Sequence, residues 1–395
     1  MSLFSKRYLK VVEEYENLIC KKNSVLEVGN GIFSRYKNPV LTKDHAPYFW
    51  KYDLNEITNP YFMERLGVNA ALNPGAIIFD NKICLMVRVE GTDRKSFFAV
   101  AESENGIDNF RFWDYPIIIP ENDEQDGNIY DMRLVRHEDG WIYGLFCREI
   151  KDPNAKEGDM SSAVAYCGIA RSKNLKDWER LPDLKTKASQ QRNVVLHPEF
   201  IDKKYAFYTR PTDDFIEAGK CGGIGWGLSD SMENPIIDDE KIIDVRMYHT
   251  IKETKNGQGA APIKTDKGWI HIAHGVRNTA AGLRYVLYGL LSDLDDPSKI
   301  IKNPGGYLIC PEGIERVGDV SNVVFCNGMV KKDDGTILIY YASADTRVHV
   351  AETTVDKLLD YLMNTPEDAL RSYACTIQRN DFIKKNLDIL KKSSS

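Results

Sequence analysis

Cysteine pairs, phosphate-loop glycines, long apolar runs and an excess of basic charge are all missing from this 395-residue chain. Its eight cysteines, at 20, 84, 147, 167, 221, 310, 326 and 375, form no CxxC pair. That spacing argues against a zinc site or a disulfide frame and reads as free thiols of a reducing compartment. Histidine is scarce, at seven. His271 and His274 lie three apart on an expected strand and face opposite ways, so no metal site is expected. No run approaches membrane-spanning length, and the opening MSLFSKRYLKVVEEYE has no apolar h-region. The expectation is a cytoplasmic protein without a membrane partner. The 52 Lys and Arg against 58 Asp and Glu leave a net charge of −6. This argues against general nucleic-acid binding, which needs a basic face; a local basic pocket for a small anion remains compatible. GxSxG, Walker and strand-linked GxGxxG motifs are also lacking. The glycine run Gly222-Gly223-Ile224-Gly225-Trp226-Gly227 has no βαβ context and reads as a tight turn.

What is present is a repeated phrase. Asn73-Pro74-Gly75-Ala76 runs into IIFDNKICLMVRVE, and Asp131-Met132-Arg133 into LVRHEDGWIYGLFCRE. His197-Pro198-Glu199 runs into FIDKKYAFYTRP, Ala261-Pro262 into IKTDKGWIHIAHGV, and Asn327-Gly328 into MVKKDDGTILIYYASAD. Each copy is a polar or small anchor, an apolar strand, a turn rich in Asp, Asn, Gly or Lys, and a second apolar strand. Asp80-Asn81, Asp139-Gly140, Lys267-Gly268 and Asp334-Gly335 are hairpin signals. A hairpin repeated at a long period marks a radial β array. Five copies predict an all-β fold, a five-bladed β-propeller.

The flanks read as helices. Leu9, Val12, Tyr15, Leu18 and Ile19 recur at helical spacing within residues 3–22, and 354–363 and 366–390 read likewise, with Thr353 or Thr354 as N-cap. The tail at 393–395 reads as frayed. The expected organisation is an N-terminal helical extension over 1–30, a catalytic propeller over 31–352, and C-terminal helices packed on it over 353–395. The amphipathic first helix suits a homo-oligomer contact. Segments 151–161 and 211–223 read as long loops, which on a propeller face shape the pocket. Trp113, Trp141, Trp178, Trp226 and Trp269 read as blade packing, with sugar stacking open for one or two.

A propeller gathers the same strand ends around one axis. Five residues past Ile83, Tyr205 and Trp269 stand Arg88, Arg210 and His274; the other two repeats end on Arg148 and Asp345. Arg88, Arg94, Arg148, Arg210 and His274 could converge on one anion, since guanidinium groups bind phosphate oxygens bidentately. The alternative is pairing with Glu90, Glu149 or Glu199. Asp131 opens the second repeat. Spacing leaves both a ligand-facing acid and a structural Asp open, and strict alternation puts Arg133 on the same face, within reach of an ion pair.

Together NPGAIIFDNKICLMVRVEG, YDMRL, NVVLHPEF with YTRP, GAAPIKTDKGWIHIAHGV and YYASADTRVHVAETT resemble glycoside hydrolase family 130 mannoside phosphorylases, over residues 45–355 and in the family's order. RVEGTDRKS and the N-terminal extension look most like the branch acting on 4-O-β-D-mannosyl-D-glucose. The resemblance implies a five-bladed propeller and reversible, inverting phosphorolysis of a β-mannoside disaccharide by phosphate, giving α-D-mannose 1-phosphate and glucose. It implies Asp131 as general acid, acting through the mannose 3-hydroxyl. It also implies Arg148, Arg210 and His274 as phosphate ligands, and Asn73, Arg88, Tyr130 and Asp345 around the mannosyl unit. Arg94 reaches either sugar or phosphate. No cofactor is implied; inorganic phosphate is the co-substrate. The pattern departs at YDMRL, where many members have Asp-Pro-Arg, and at HPEF, where many have Phe-Pro-Glu-Lys.

One acid suffices for a phosphorylase, because phosphate is already a nucleophile, whereas an inverting hydrolase needs two carboxylates. The rival readings are a β-1,4-mannooligosaccharide or β-1,2-mannoside phosphorylase, a β-mannoside hydrolase using Asp345 or Glu199 as its second group, and a non-catalytic glycan-binding propeller.

Overall fold

Apolar alternation and turn chemistry together build the hairpins. Asp80 and Asn81 both take left-handed φ, 48° and 61°, the signature of a type I′ turn that matches strand twist. Gly140 and Gly335 supply the left-handed residue at two other hairpin tips. In the computed structural model, which describes residues 1–26, 29–122, 126–214 and 218–393, these hairpins extend into five antiparallel sheets, the blades of a propeller.

Blade I comprises, from the axis outward, Val68–Phe79, Lys82–Gly91, Ser96–Ser103 and Arg111–Phe112. Blade II comprises Asn128–Arg136, Ile142–Lys151, Ala163–Ser172 and Trp178–Leu181. Blade III comprises Val195–Leu196, Tyr205–Thr209, Ile224–Ser229 and Glu240–Asp244. In blade IV the short strands Lys255–Gln258 and Ile263–Lys264 both pair with Trp269–Thr279, followed by Gly282–Ser292 and Ile300–Lys302. Blade V takes Val324–Lys331, Thr336–Ser343 and Arg347–Thr354 from the end of the chain and Ser34–Arg35 from its beginning.

That last pairing, Ser34 with Glu352 and Arg35 with Ala351, closes the ring. Arg35 is fixed there by Glu315, by the Tyr341 hydroxyl at 3.2 Å and by the Cys310 carbonyl at 2.7 Å. Glu315 also accepts from the Tyr341 hydroxyl at 2.7 Å, so both charges are buried and satisfied.

The hydrophobic core is divided among the blade interfaces. Met86 and Val100 meet Met132 and Phe146 between blades I and II. Leu145 and Ile169 meet Leu196 and Phe207 between II and III. Tyr208 and Trp226 meet Tyr288 and Leu290 between III and IV. Ile270 and Leu287 meet Ile337 and Ile339 between IV and V, and Leu338 and Val350 meet Leu85 and Val87 between V and I. Each fully buried large side chain contributes about 1.5–3 kcal/mol, so cohesion comes from these five layers. Trp178, Trp226 and Trp269 are buried in them or beside them, while Trp141 lies under Arg171 and Lys173 at the outer edge.

At the axis the inner strands press backbone on backbone. A side chain at Gly75 would put its Cβ 2.5 Å from the Met132 carbonyl oxygen, and one at Gly328 would put it 2.6 Å from that of Pro74. Each of these strands also carries a bulge. Residues 73–74 lie opposite Val87, residues 131–132 lie opposite Phe146, and Asn327 is inserted between paired neighbours. Asn73 and Asp131 hold φ of 43° and 60° there, a region that short polar side chains tolerate best. The bulge breaks the strict alternation expected across Asp131 and Arg133.

Helix α1 (Leu3–Ile19) follows an N-cap at Ser2 and buries Phe4 and Ile19. Phe4 and Tyr8 stack edge-on against Phe62, and Tyr15 against Tyr48 of the short helix α2 (Tyr48–Lys51). Helix α3 (Val355–Asn364) starts at the Thr354 cap and buries Leu358 and Leu362 in the layer between blades IV and V. Helix α4 (Ser372–Ser393) has no buried side chain, a difference from the expectation of C-terminal helices packed on the propeller. The glycine run at 222–227 also differs from its reading as a turn. Only Gly222, at φ 92°, turns; Gly225 and Gly227 lie within the strand Ile224–Ser229. Residues 215–217 of the expected 211–223 loop and residues 394–395 of the expected frayed tail lie outside the described residues.

Arg35→Ala leaves Glu315 buried without its cation. It is expected to lower stability by about 3–5 kcal/mol, read as a lower denaturation midpoint, whereas Ser34→Ala should stay within about 0.5 kcal/mol.

Candidate active site

The bulged ends of the inner strands and the ends of the second strands form one polar hollow at the axis. Asp131 stands at its centre with its side chain 15% exposed. Its Oδ1 accepts from Asn73 Nδ2 at 3.0 Å and from Arg88 Nη1 at 3.2 Å. Asn327 Nδ2 in turn donates to the Asn73 carbonyl at 3.2 Å. A chain of hydrogen bonds therefore runs from blade V through blade I to the acid of blade II. The side-chain oxygens of Asn73 and Asn327 are buried without protein partners, which leaves two acceptors open for a ligand's hydrogen-bond donors.

Arg88 is held on every edge. Its Nη2 donates to Glu90 at 2.8 Å, its Nε to Ser96 at 3.0 Å, and its guanidinium lies 4.6 Å from the Tyr130 ring centroid. Burial opposes its charge, yet Asp131, Glu90 and Asp345 raise its pKa. Asp345 sits on the tip between the second and third strands of blade V at φ 52°. Burial, then the Asp131 charge, pushes its carboxyl up to about 6 against the pull of Arg88. Tyr130 is buried and donates to Glu149 at 2.8 Å. Asn73, Arg88, Tyr130, Asp131 and Asp345 are thus brought together.

Beside this acid-rich half lies a basic one. Arg210 Nη1 sits 2.8 Å from His274 Nε2. A guanidinium only donates, so Nε2 accepts and the imidazole carries its proton on Nδ1. Burial first, then Arg210, Arg133 and Lys255, lower the His274 pKa and keep the ring neutral. Burial, then Arg192 and Arg133, bring Arg210 down to about 10. Among the described residues neither Arg210 nor Arg133 forms an ion pair, and Arg210 Nε and His274 Nδ1 are buried donors without a protein partner. A buried cation without a carboxylate is expensive, so this half is suited to an anion.

Four residues singled out in the sequence stand apart from these expectations. Arg148 is not part of the basic half: it donates to Asp126 and, at 3.1 Å, to Asp183, in a buried four-charge cluster with Arg180. Two carboxylates already neutralise it. Arg133 makes no bond to the Asp131 carboxylate, because the bulge turns it inward to the Asp131 backbone carbonyl at 3.1 Å. Arg94, at the exposed 91–96 tip with φ 67°, makes no side-chain contact with the others. Glu199 is ion-paired with Lys264 at 2.7 Å near the 265–268 turn, at the far end of the strands from Asp131.

Sequence reading missed Arg192 and Lys255. Arg192 donates to the Tyr130 hydroxyl at 2.9 Å and lies 5.9 Å from its ring centroid; Lys255 is buried within electrostatic reach of His274. Both precede or open short inner strands instead of ending second strands, so a search confined to strand ends passes over them. Among the described residues no cluster of His, Cys, Asp and Glu could hold a metal, and no helix is long and apolar enough to cross a membrane.

Comparison with known proteins follows the same lines. The chain is 60% identical, over 99% of its length and all of the relative's, to a 4-O-beta-D-mannosyl-D-glucose phosphorylase of Bacteroides fragilis. It is 33% identical to a 1,2-beta-oligomannan phosphorylase of a Thermoanaerobacter species, over 64% of this chain and 76% of that one. The solved beta-1,2-mannobiose phosphorylase of Listeria innocua, in complex with beta-1,2-mannobiose, superposes with a TM-score of 0.65 at 20% identity, over 87% of this chain and 99% of that one. Residues 43–364 match the family described as beta-1,4-mannooligosaccharide phosphorylase, and the chain belongs to it, glycoside hydrolase family 130.

Proposed function

We propose that this protein catalyses the reversible, inverting phosphorolysis of 4-O-β-D-mannosyl-D-glucose to α-D-mannose 1-phosphate and D-glucose. The observation that carries the reading is the adjacency of one acid, Asp131, to the buried Arg210, which has no carboxylate partner among the described residues and donates toward His274. Full-length likeness to the Bacteroides fragilis enzyme supports the choice of glucose as acceptor.

Each half then has one task. Arg210 and His274, with Arg192 and Lys255 beside them, hold phosphate and present one oxygen to the anomeric carbon. Asn73, Arg88, Tyr130 and Asp345 hold the mannosyl unit. As the phosphate oxygen bonds to C1, the bond from C1 to the glycosidic oxygen breaks. The Asp131 proton passes to the mannose 3-hydroxyl, whose own proton passes to the departing glucose oxygen. Asn73 and Arg88 supply the hydrogen bonds that orient the acid and stabilise the carboxylate it becomes. No second carboxylate and no cofactor are needed, because phosphate brings the nucleophile.

The test is incubation with 4-O-β-D-mannosyl-D-glucose with and without phosphate. Phosphate-dependent appearance of mannose 1-phosphate and glucose is expected. Free mannose without phosphate would mean a hydrolase, and turnover only of mannooligosaccharides or β-1,2-mannosides would move the acceptor assignment. Asp131→Asn should lower kcat by about 10²–10⁴-fold, the usual contribution of general acid catalysis, with an unchanged unfolding midpoint. Arg210→Ala should raise the KM for phosphate about ten- to hundredfold, the worth of a charged hydrogen bond, and leave the disaccharide KM within about threefold. Asp345, with its pKa near 6, is charged above that pH and neutral below it. If the ionised form accepts the sugar hydroxyls, kcat/KM climbs through about pH 6, and Asp345→Asn removes that step. The difference between the two profiles cancels the titration of phosphate itself.

A further inference from the structure

Directly beneath Asp131 a single guanidinium joins four of the five blades. Arg133 is 3% exposed. Its Nη1 donates to the Asp131 carbonyl at 3.1 Å, in its own blade II. Its Nη2 donates to Asn193 Oδ1 at 2.6 Å, just ahead of the inner strand of blade III, and its Nε to the Gly259 carbonyl at 3.0 Å, in blade IV. Its guanidinium lies 5.7 Å from the ring centroid of Phe325, in blade V.

Two of these contacts reach opposite halves of the site. The Asp131 carbonyl belongs to the residue held at φ 60°, whose conformation sets where the acid points. The other, Asn193, donates from Nδ2 to the Gln258 carbonyl at 2.9 Å, and that amide borders His274. A Cβ added at Gly257 would lie 2.7 Å from His274 Cε1 and 3.0 Å from Asn193 Nδ2, so no side chain fits between them. The Phe325 ring that faces Arg133 also lies 4.6 Å from the His274 ring.

We infer that Arg133 is a positioning residue that fixes the acid and the anion pocket relative to each other, resting on the phosphorolysis proposed above. Its fork makes three hydrogen bonds at fixed angles, which an ammonium on a flexible stem cannot reproduce. Proton transfer and attack by phosphate must occur in one transition state, so the distance between the two halves matters more than the affinity of either. Arg133 also leaves a buried positive charge under the pocket. It counts among the causes that lower the pKa of both Arg210 and His274.

The test measures phosphorolysis and thermal unfolding for the native protein, Arg133→Lys, Arg133→Met, Asp131→Asn and the double variant D131N/R133K. Arg133→Lys keeps the charge and loses the fork. Its kcat should fall about ten- to hundredfold, the cost of misplacing reacting groups by about 1 Å, while the KM values for phosphate and disaccharide stay within about threefold. Arg133→Met loses both, so its phosphate KM should rise about tenfold as well. If Arg133 acts through Asp131, D131N/R133K falls no further than D131N; a merely structural role would multiply the two losses. Multiplied losses, or an Arg133→Lys enzyme with normal kcat, would overturn the inference while leaving the phosphorylase standing. A native protein without phosphate-dependent turnover would remove both. Should Arg133→Met fail to fold, Arg133→Lys and the double variant carry the same decision.

Discussion

The geometry of the site depends on the approach of inner-strand backbones at the propeller axis. Gly75 and Gly328 let the strands of blades I, II and V touch through main-chain atoms. At that spacing the bulges at Asn73, Asp131 and Asn327 come to one level, and a short relay of amide and carboxylate hydrogen bonds links them. A methyl group on either glycine would collide with backbone, which cannot move aside as a side chain can. Sub-ångström placement of the acid is therefore a property of the scaffold, and the scaffold's rigidity comes from the five apolar layers between blades.

Electrostatics divides the hollow into two unlike halves within a protein whose net charge is −6. Around Arg88 stand Asp131, Glu90 and Asp345, and burial followed by carboxylate repulsion raises the pKa of Asp345. Around His274 stand Arg210, Arg133 and Lys255, which add to burial in lowering its pKa. At an effective dielectric of about 20, unit charges about 5 Å apart interact by ~3 kcal/mol. Gathering cations away from carboxylates thus costs folding stability. Arg148 is the counterexample within the same blade: matched to Asp126 and Asp183, it has the environment of a structural arginine.

Hairpin periodicity made the propeller legible, because each repeat carries its own turn signal and its own pair of apolar strands. The convergence of Arg88, Arg210, His274 and Asp345 was legible too, since second-strand ends gather on a propeller axis; spacing left Asp131 open, and Asn73 and Tyr130 entered through the family resemblance. What escaped was set by features without a period. A bulge has no sequence signature, so Arg133 was read by alternation onto the wrong partner. Arg148 sits at a strand end like Arg210, and only the fold shows that Asp126 and Asp183 reach it from outside the strand. Arg192 and Lys255 belong to short strands whose register the repeat does not fix. The exposed α4 differs from the packed α3 in its pattern, since its apolar residues scatter round the helix whereas those of α3 gather on one face.

Ring closure by Ser34 and Arg35 has a consequence for how the molecule comes into being. Ser34–Arg35 is the earliest of the blade strands in the chain, and its partner in the sheet, Arg347–Thr354, is the latest. Asn327, which completes the relay to the acid, arrives with that same blade. Circularisation and completion of the hollow therefore depend on the same last blade, and a chain without it would have an open wall and lack the amide that steadies Asn73.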